Sequence, residues 1–348
     1  MGRRATHQIL VKRFRSKVNT GRRRLFAELG AFPPPLNAMA TAQYLSRADC
    51  ARSLPMLSEY APWLLADFFG CHDSQFLSEF ALAWLLINAY TLITDDLLDR
   101  SDVRGSQHLL IASGLILQRG LTILYSVVPL TAALRSQVNE CFGQLASAVA
   151  AEITTRVQTR ERGPLHKIHT LALCAACIRA ANDGCALSKE ELAIMDRLAN
   201  GLQEFDDLMD WYEDWCAGHL TNPLRTCFDH LITDNVNKST EPTVFSKEEL
   251  ASALVLTGSF ETSLRSVQRQ FKSIIATSGR SQGSALVKYL RSVVNKLDFA
   301  SRNAKEIRSN YIGQRKCVSI RLLRTFVRDT TAQKEVHRLL NRIQVQGN

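Results

Sequence analysis

Two short runs of this chain gather carboxylates at a spacing that suits a divalent cation. The first is Asp95-Asp96-Leu97-Leu98-Asp99; the second is Asp206-Asp207-Leu208-Met209-Asp210, continued by Trp211-Tyr212-Glu213-Asp214. On a helix, residues three and four apart share a face, so Asp95 neighbours Asp99, and Asp206, Asp210 and Asp214 line up. Carboxylates stacked in this way repel each other, and a bridging cation removes that cost. Oxygen-only donors suit magnesium, which keeps several waters and is commonly shared with substrate phosphates. Solvated acidic faces are the plain alternative. Both runs, however, follow apolar sequence, Phe80 to Thr94 and Leu198 to Phe205, where solvated faces are not expected. Opposed across a helical bundle, the two faces would make a cage for a magnesium–diphosphate.

The residues around the clusters carry a family resemblance. Asp95 to Asp99, followed by Arg100-Ser101-Asp102-Val103-Arg104-Gly105, resembles the first aspartate-rich motif of trans-prenyl diphosphate synthases, and Gln203 to Asp210 resembles their second. Gln203, Asp210, Glu213-Asp214, Gly218 and Pro223 are similar to squalene and phytoene synthases, and Asp206 to Asp214 resembles the metal triad of terpene cyclases. All are class I isoprenoid synthases, and the resemblance spans about residues 75–225. It implies an all-α fold, a single large helical bundle with a central active-site cavity. It further implies a prenyl diphosphate substrate and three magnesium ions, with manganese able to substitute. The ligands it implies are Asp95, Asp96, Asp99, Asp206, Asp207, Asp210 and Asp214.

The departures from the elongating enzymes favour one reaction. Their Gly-Gly-Lys-x-x-Arg-Pro segment, which binds a second diphosphate, has no counterpart between Ala40 and Asp95. Their paired arginines after the first motif reduce to Arg104, and their Lys-Thr reads His169-Thr170. The expected activity is therefore that of a terpene synthase, a lyase in which one allylic diphosphate ionises and the cation cyclises or rearranges. A prenyltransferase, chain-elongating or head-to-head, is the alternative. A non-enzymatic subunit that kept the fold is a third reading, opposed by retention of the carboxylates in both clusters.

Pyrophosphate release calls for cations, and a carbocation calls for an apolar, aromatic chamber. Arg104, Arg179, Arg308 and Tyr311 are the catalytic candidates, with Arg315 and His169 nearby in sequence. Trp84, Tyr90, Gln203 and Lys316 are the substrate-binding candidates; Phe80, Trp211 and Tyr212 are further aromatics. Ordinary core packing competes with each aromatic assignment. Trp84 lies eleven residues before Asp95, three helical turns along the same face.

These residues need long helices to position them. Apolar residues make up 46% of 348 positions and prolines number only nine, which suits uninterrupted helices. The pattern predicts helices at about 38–49, 55–70, 74–99, 108–134, 136–160, 165–183, 188–216, 219–232, 246–278, 281–308 and 315–342, with few strand signals. Ser188 with Glu191 reads as a capping box. Cys174-Ala175-Ala176-Cys177 lies in apolar sequence without a second ligand pair and reads as buried structural thiols.

Residues 1–24 hold nine Lys and Arg and no Asp or Glu, so most of the formal net charge of +10 sits there. The expectation is a mobile basic arm over 1–36, ending at Phe32-Pro33-Pro34-Pro35, ahead of a catalytic domain over 37–348. Such an arm suits peripheral contact with an anionic membrane. It lacks the interleaved aromatics of a nucleic-acid surface, so no nucleic-acid partner is expected. No uncharged apolar run reaches the roughly 18 residues of a spanning helix. A cytoplasmic location and a homodimer complete the expectations.

Overall fold

The computed structural model describes residues 4–47, 57–99, 105–158, 170–216, 220–232, 245–313 and 318–347. The side chains of some positions within these segments, Asp95 and Asp99 among them, lie outside the description. Fifteen α-helices account for nearly all of the described chain, as the all-α expectation required. Among the described residues there is also a parallel pair of two-residue strands, β1 (Leu231–Ile232) against β2 (Val318–Ser319).

The chain opens with α1 (Arg4–Gly30), the segment expected as a mobile arm. Instead it is part of the packed body. Phe14, Val18, Leu25 and Leu29 are buried, and Gly21 completes their row at spacings of three and four, one helical face. A Cβ on Gly21 would fall 2.9 Å from the Leu85 side chain, so the glycine lets α1 lie close against α4. Three cations of the segment have acidic partners on neighbouring helices. Arg13 pairs with Asp67, Arg22 with Glu59, and Arg24 with Glu79 at 2.7 Å; Lys17 stands over the Trp63 ring. Read alone, nine cations in 24 residues suggest a solvated tail. What reversed that reading is the apolar stripe together with acids that sit far away in sequence.

After α2 (Leu36–Arg47), α3 (Leu57–Phe69) and α4 (Ser74–Asp99) form a helical hairpin. Its far end is pinned where the Trp84 indole N–H donates to the Ser58 carbonyl at 2.8 Å. The next helices are α5 (Ser106–Val127), α6 (Ala132–Gln158), α7 (Thr170–Asp183) and α8 (Lys189–Met209). They are followed by the short α9 (Trp211–Cys216) and α10 (Asn222–Asp229). The C-terminal part holds α11 (Lys247–Leu256), α12 (Ser259–Thr277), α13 (Ala285–Ile312), α14 (Ile320–Arg328) and α15 (Thr330–Gly347). Five helices close a ring, α3 on α7, α7 on α8, α8 on α12, α12 on α13, and α13 back on α3. Helix α4 packs outside α3, between α1 and α5, and α6 leans on α7.

Three predicted helices are each split in two. The 246–278 stretch breaks at Gly258, whose φ of 79° is left-handed, a conformation glycine adopts without penalty. The 315–342 stretch breaks at Asp329, whose carboxylate accepts from the N–H groups of Thr331 and Ala332. The 188–216 stretch bends at Asp210. The capping box is present: Ser188 accepts from Glu191 N–H and Glu191 accepts from Ser188 N–H. Cys174 and Cys177 are free, fully buried thiols, and burial pushes both of them up in pKa.

Two stretches, Ser74–Thr94 and Ser106–Val127, are long and apolar enough to cross a membrane by length and composition, although each is interrupted by one charge, Glu79 or Arg119. The first is 61% buried within the protein, as befits a core helix. The second is 33% buried and exposes Leu110, Ile111 and Tyr125.

Candidate functional site

Both carboxylate clusters fall at the C-terminal ends of their helices. Asp95, Asp96 and Asp99 close α4; Asp206 and Asp207 close α8, with Asp210 as its cap. A helix C-terminus carries the negative end of the macrodipole, where cations are favoured and anions are not. Neither last turn holds a basic residue. Repulsion within each cluster and repulsion by the dipole therefore add, and both favour positive charge nearby.

By backbone position, Asp95, Asp206 and Asp210 stand well round their helices from Leu86 and Gly201, two residues in close helix contact. On α4, Leu86 meets Gly120 of α5, with 3.1 Å from the Leu86 Cβ to the position a Cβ on Gly120 would take. Nine residues separate Leu86 from Asp95, about 180° round the helix. On α8, Gly201 meets α12 so closely that a Cβ there would lie 2.5 Å from the Phe271 ring. Asp206 is five residues further on, about 140° away, and Asp210 about 180°. Helices α3 and α7 link α4 to α8.

The bend at Asp210 leaves the aspartate row in register. Asp210 N–H donates to the Asp206 carbonyl and Asp214 N–H to the Asp210 carbonyl, each at 2.9 Å, so the one-turn spacing of the three carboxylates continues across it. Asp206 and Asp210 are exposed, and Asp207 and Asp214 are half-buried. Gln203 donates to Asp207 at 2.9 Å, which places the glutamine within the second cluster. Asp96 sits differently, at 1% exposure, accepting from Gln43 of α2. It lies about 100° round α4 from Asp95, and its contact with α2 separates it from the row of Asp95 and Asp99. Gln43 was not singled out in the sequence; only the packing of α2 on α4 reveals it.

The remaining candidates divide. Trp84 is buried where α3 meets α4, its N–H committed to Ser58, yet it lies on the Asp95 face. Tyr90 is five residues before Asp95, about 140° away, packed against the core. Arg179 is ion-paired with Asp183 and, at 3.2 Å, with Glu191, an anchor between α7 and α8. Arg308 donates to the Leu256 carbonyl at 3.1 Å, and its guanidinium fills the space beside Gly258 where a side chain would stand. It thus caps the C-terminus of α11. Tyr311 packs edge-on against Phe326 at 4.7 Å; burial, then Glu335 and Asp329, raise its pKa. Arg104, His169, Arg315 and Lys316 lie outside the described residues.

An all-oxygen donor set at two dipole-negative helix ends fits magnesium better than zinc or a redox metal. Among the described residues no three acidic, histidine or cysteine side chains form a preassembled metal group; the side chains of Asp95 and Asp99 are not among them.

No protein-family description matches the chain, and no curated protein sequence matches it. Among solved structures the fold is similar to a geranylgeranyl pyrophosphate synthetase from the archaeon Geoglobus acetivorans. The TM-score is 0.62, covering 83% of this chain and 98% of that one, at 16% sequence identity. The fold is of the isoprenoid synthase type.

Proposed function

We propose that the chain is a magnesium-dependent class I terpene synthase that ionises one allylic prenyl diphosphate and cyclises or rearranges the cation. The reading rests on one observation above the others: two aspartate clusters at the negative ends of α4 and α8, without a basic residue in either last turn. Such a site favours the entry of a cation. The residues to hold magnesium are Asp95 and Asp99 on α4 and Asp206, Asp210 and Asp214 on the second row, with Gln203 fixing Asp207. Bound there, magnesium would neutralise the departing pyrophosphate. The protein's own part is to hold the carboxylate rows in place through the close helix contacts at Gly120 and Gly201. It also offers the prenyl chain the apolar length of α4 below Asp95, ending at Trp84. Arg104, five residues after Asp99, is proposed as a cation for the departing diphosphate.

A prenyltransferase is the second reading, favoured by the likeness in fold to a protein named for geranylgeranyl pyrophosphate synthesis. Incubation with an allylic diphosphate and magnesium, with and without isopentenyl diphosphate, separates the two. Pyrophosphate and a hydrocarbon or alcohol from the allylic substrate alone support the terpene synthase; a longer diphosphate only when isopentenyl diphosphate is added supports the transferase. Asp95→Ala and Asp206→Ala should each abolish either reaction.

A further inference from the structure

The C-terminal half carries a second concentration of positive charge. Between Glu261 and Glu306 the chain holds nine Lys and Arg and a single acid, Asp298. Nearly all of this stretch belongs to α12 and α13. The inward faces of both helices are apolar, with Leu264, Val267 and Phe271 buried on α12 and Leu290, Val294 and Leu297 on α13, so the cations fall outside. On α12, Arg265, Arg269 and Lys272 are exposed at spacings of four and three, one helical face. On α13, Lys288, Arg291 and Arg302 are exposed. Carboxylates take up only part of this charge. Arg265 pairs with Glu261 and Lys272 with Asp298, whereas among the described residues Arg269, Lys288, Arg302 and Lys305 enter no ion pair.

The two helices run antiparallel, with Gly258 beside Arg308 at one level and Lys272 bonded to Asp298 at 3.1 Å at another. One turn on from that ion pair, Arg269 of α12 and Arg302 of α13 come level with each other. Phe299 stands beside them, 48% exposed. It is about 60° round α13 from Arg302 and, three turns along, about 20° from Lys288. One exposed apolar side chain is ordinary by itself. A phenyl ring set within a cationic face about 25 Å long, from Lys288 to Lys305, is a more particular composition. It is what a helix lying on a membrane presents: basic side chains for lipid phosphates, and an aromatic ring for the boundary between headgroups and acyl chains.

We propose that the outer face of α12 and α13 docks on an anionic lipid bilayer. Phe299 enters the boundary between headgroups and acyl chains, and Arg269, Lys288 and Arg302 lie against lipid phosphates. The membrane contact expected of residues 1–36 thereby moves to a different face. In α1, Arg13, Arg22 and Arg24 are each held by a carboxylate, which offsets their charge; on α12 and α13 most of the charge is still available to a partner. A single-stranded nucleic acid is the other polyanion to consider. Successive bases call for successive stacking rings, and among the described residues Phe299 is the one exposed aromatic of these two helices. Charge supplies most of the attraction, so the contact is reversible and weakens as salt shortens the reach of the field.

The test is sedimentation of the full chain with vesicles of phosphatidylcholine, alone or mixed with phosphatidylserine. The wild type should bind the mixed vesicles at low salt, bind the neutral ones far less, and be released as salt is raised. Lys288→Gln should weaken binding about fivefold, and Arg269→Gln, Lys288→Gln and Arg302→Gln combined about a hundredfold. Phe299→Ser should weaken it about tenfold, whereas Phe299→Trp should keep it. Arg15→Gln with Arg23→Gln removes two exposed cations of α1 and should change binding by less than about twofold. Each variant should melt with the wild type, because every replaced side chain is exposed. A wild type that ignores the mixed vesicles, or binds neutral ones equally well, would overturn the inference. So would an unchanged triple variant, or an equal loss in the α1 variant. Tighter binding to a single-stranded RNA than to the mixed vesicles, insensitive to Phe299→Ser, would overturn the lipid assignment.

Discussion

Replacing Arg22 by methionine should strip the protein of a large part of its stability, because α1 is tied to α3 through a buried charge. Glu59 is 1% exposed. Arg22 grips it with two hydrogen bonds, from Nε at 2.7 Å and from Nη2 at 2.6 Å, and the Tyr44 hydroxyl of α2 adds a third at 2.8 Å. Removing the guanidinium takes the bidentate Arg22 partner from a buried carboxylate, and breaking a buried pair in this way costs about 3–5 kcal/mol. Total stabilities run to only about 5–15 kcal/mol, so the expected loss is severe. The companion change separates charge from packing. In Arg22→Met with Glu59→Gln the charge is gone from both sides, and the glutamine carbonyl still accepts from Tyr44. Most of the loss should be recovered, since apolar replacement of a whole buried pair is often neutral. Urea unfolding followed by circular dichroism at pH 7 measures both. A cost below about 1 kcal/mol for Arg22→Met, the value of an exposed pair, would refute the argument and return α1 to the status of a dispensable arm.

Further outcomes follow from the same packing. Gly201→Ala should cost about 1–3 kcal/mol in overpacking against Phe271, offset by about 1 kcal/mol of helix propensity. Gly201→Val should cost more and also depress turnover, since Asp206 rides on the same helix; unfolding and activity assays on both variants check this. Maleimide labelling of the native protein should modify the exposed Cys185 and Cys216 well before Cys141, Cys174, Cys177 and Cys227. Burial pushes the thiols of Cys141 and Cys227 up to about 11 and 12 and those of Cys174 and Cys177 up as well. Equal labelling rates by mass spectrometry would contradict that. Glu28 is held below its usual pKa by the hydrogen bonds from Arg119. Its contribution is therefore present above the unfolded value of about 4.3 and lost as pH falls through the lowered value. Glu28→Gln should flatten the acid side of the stability profile by less than about 1 kcal/mol, the pair being partly exposed.

The arrangement of the two clusters was legible in the chain itself. That their carboxylates fall at spacings of three and four near the ends of helices could be read from the sequence because helical geometry is local. The capping box at Ser188 and Glu191, the buried pair in Cys174 to Cys177, and the extent of α4 were legible for the same reason. Other matters depended on partners distant in sequence. Asp96 belongs to the first motif by spacing, yet its hydrogen bond to Gln43 was visible only once α2 lay on α4. Arg308 reads as a phosphate ligand from its sequence position, but Gly258 opened a space beside α11 that its guanidinium fills.

The basic N-terminal segment draws the line most clearly. Its sequence determined that it would be cationic and that Phe14, Val18, Gly21, Leu25 and Leu29 could share one helical face. Whether that face had anything to bury against, and whether the cations would meet water or carboxylates, depended on Leu85, Asp67, Glu59 and Glu79. These lie on α3 and α4, some 37 to 64 positions along the chain from their partners in α1. Charge and periodicity are properties of a segment, whereas desolvation and pairing are properties of what packs against it, and only the tertiary structure supplies that.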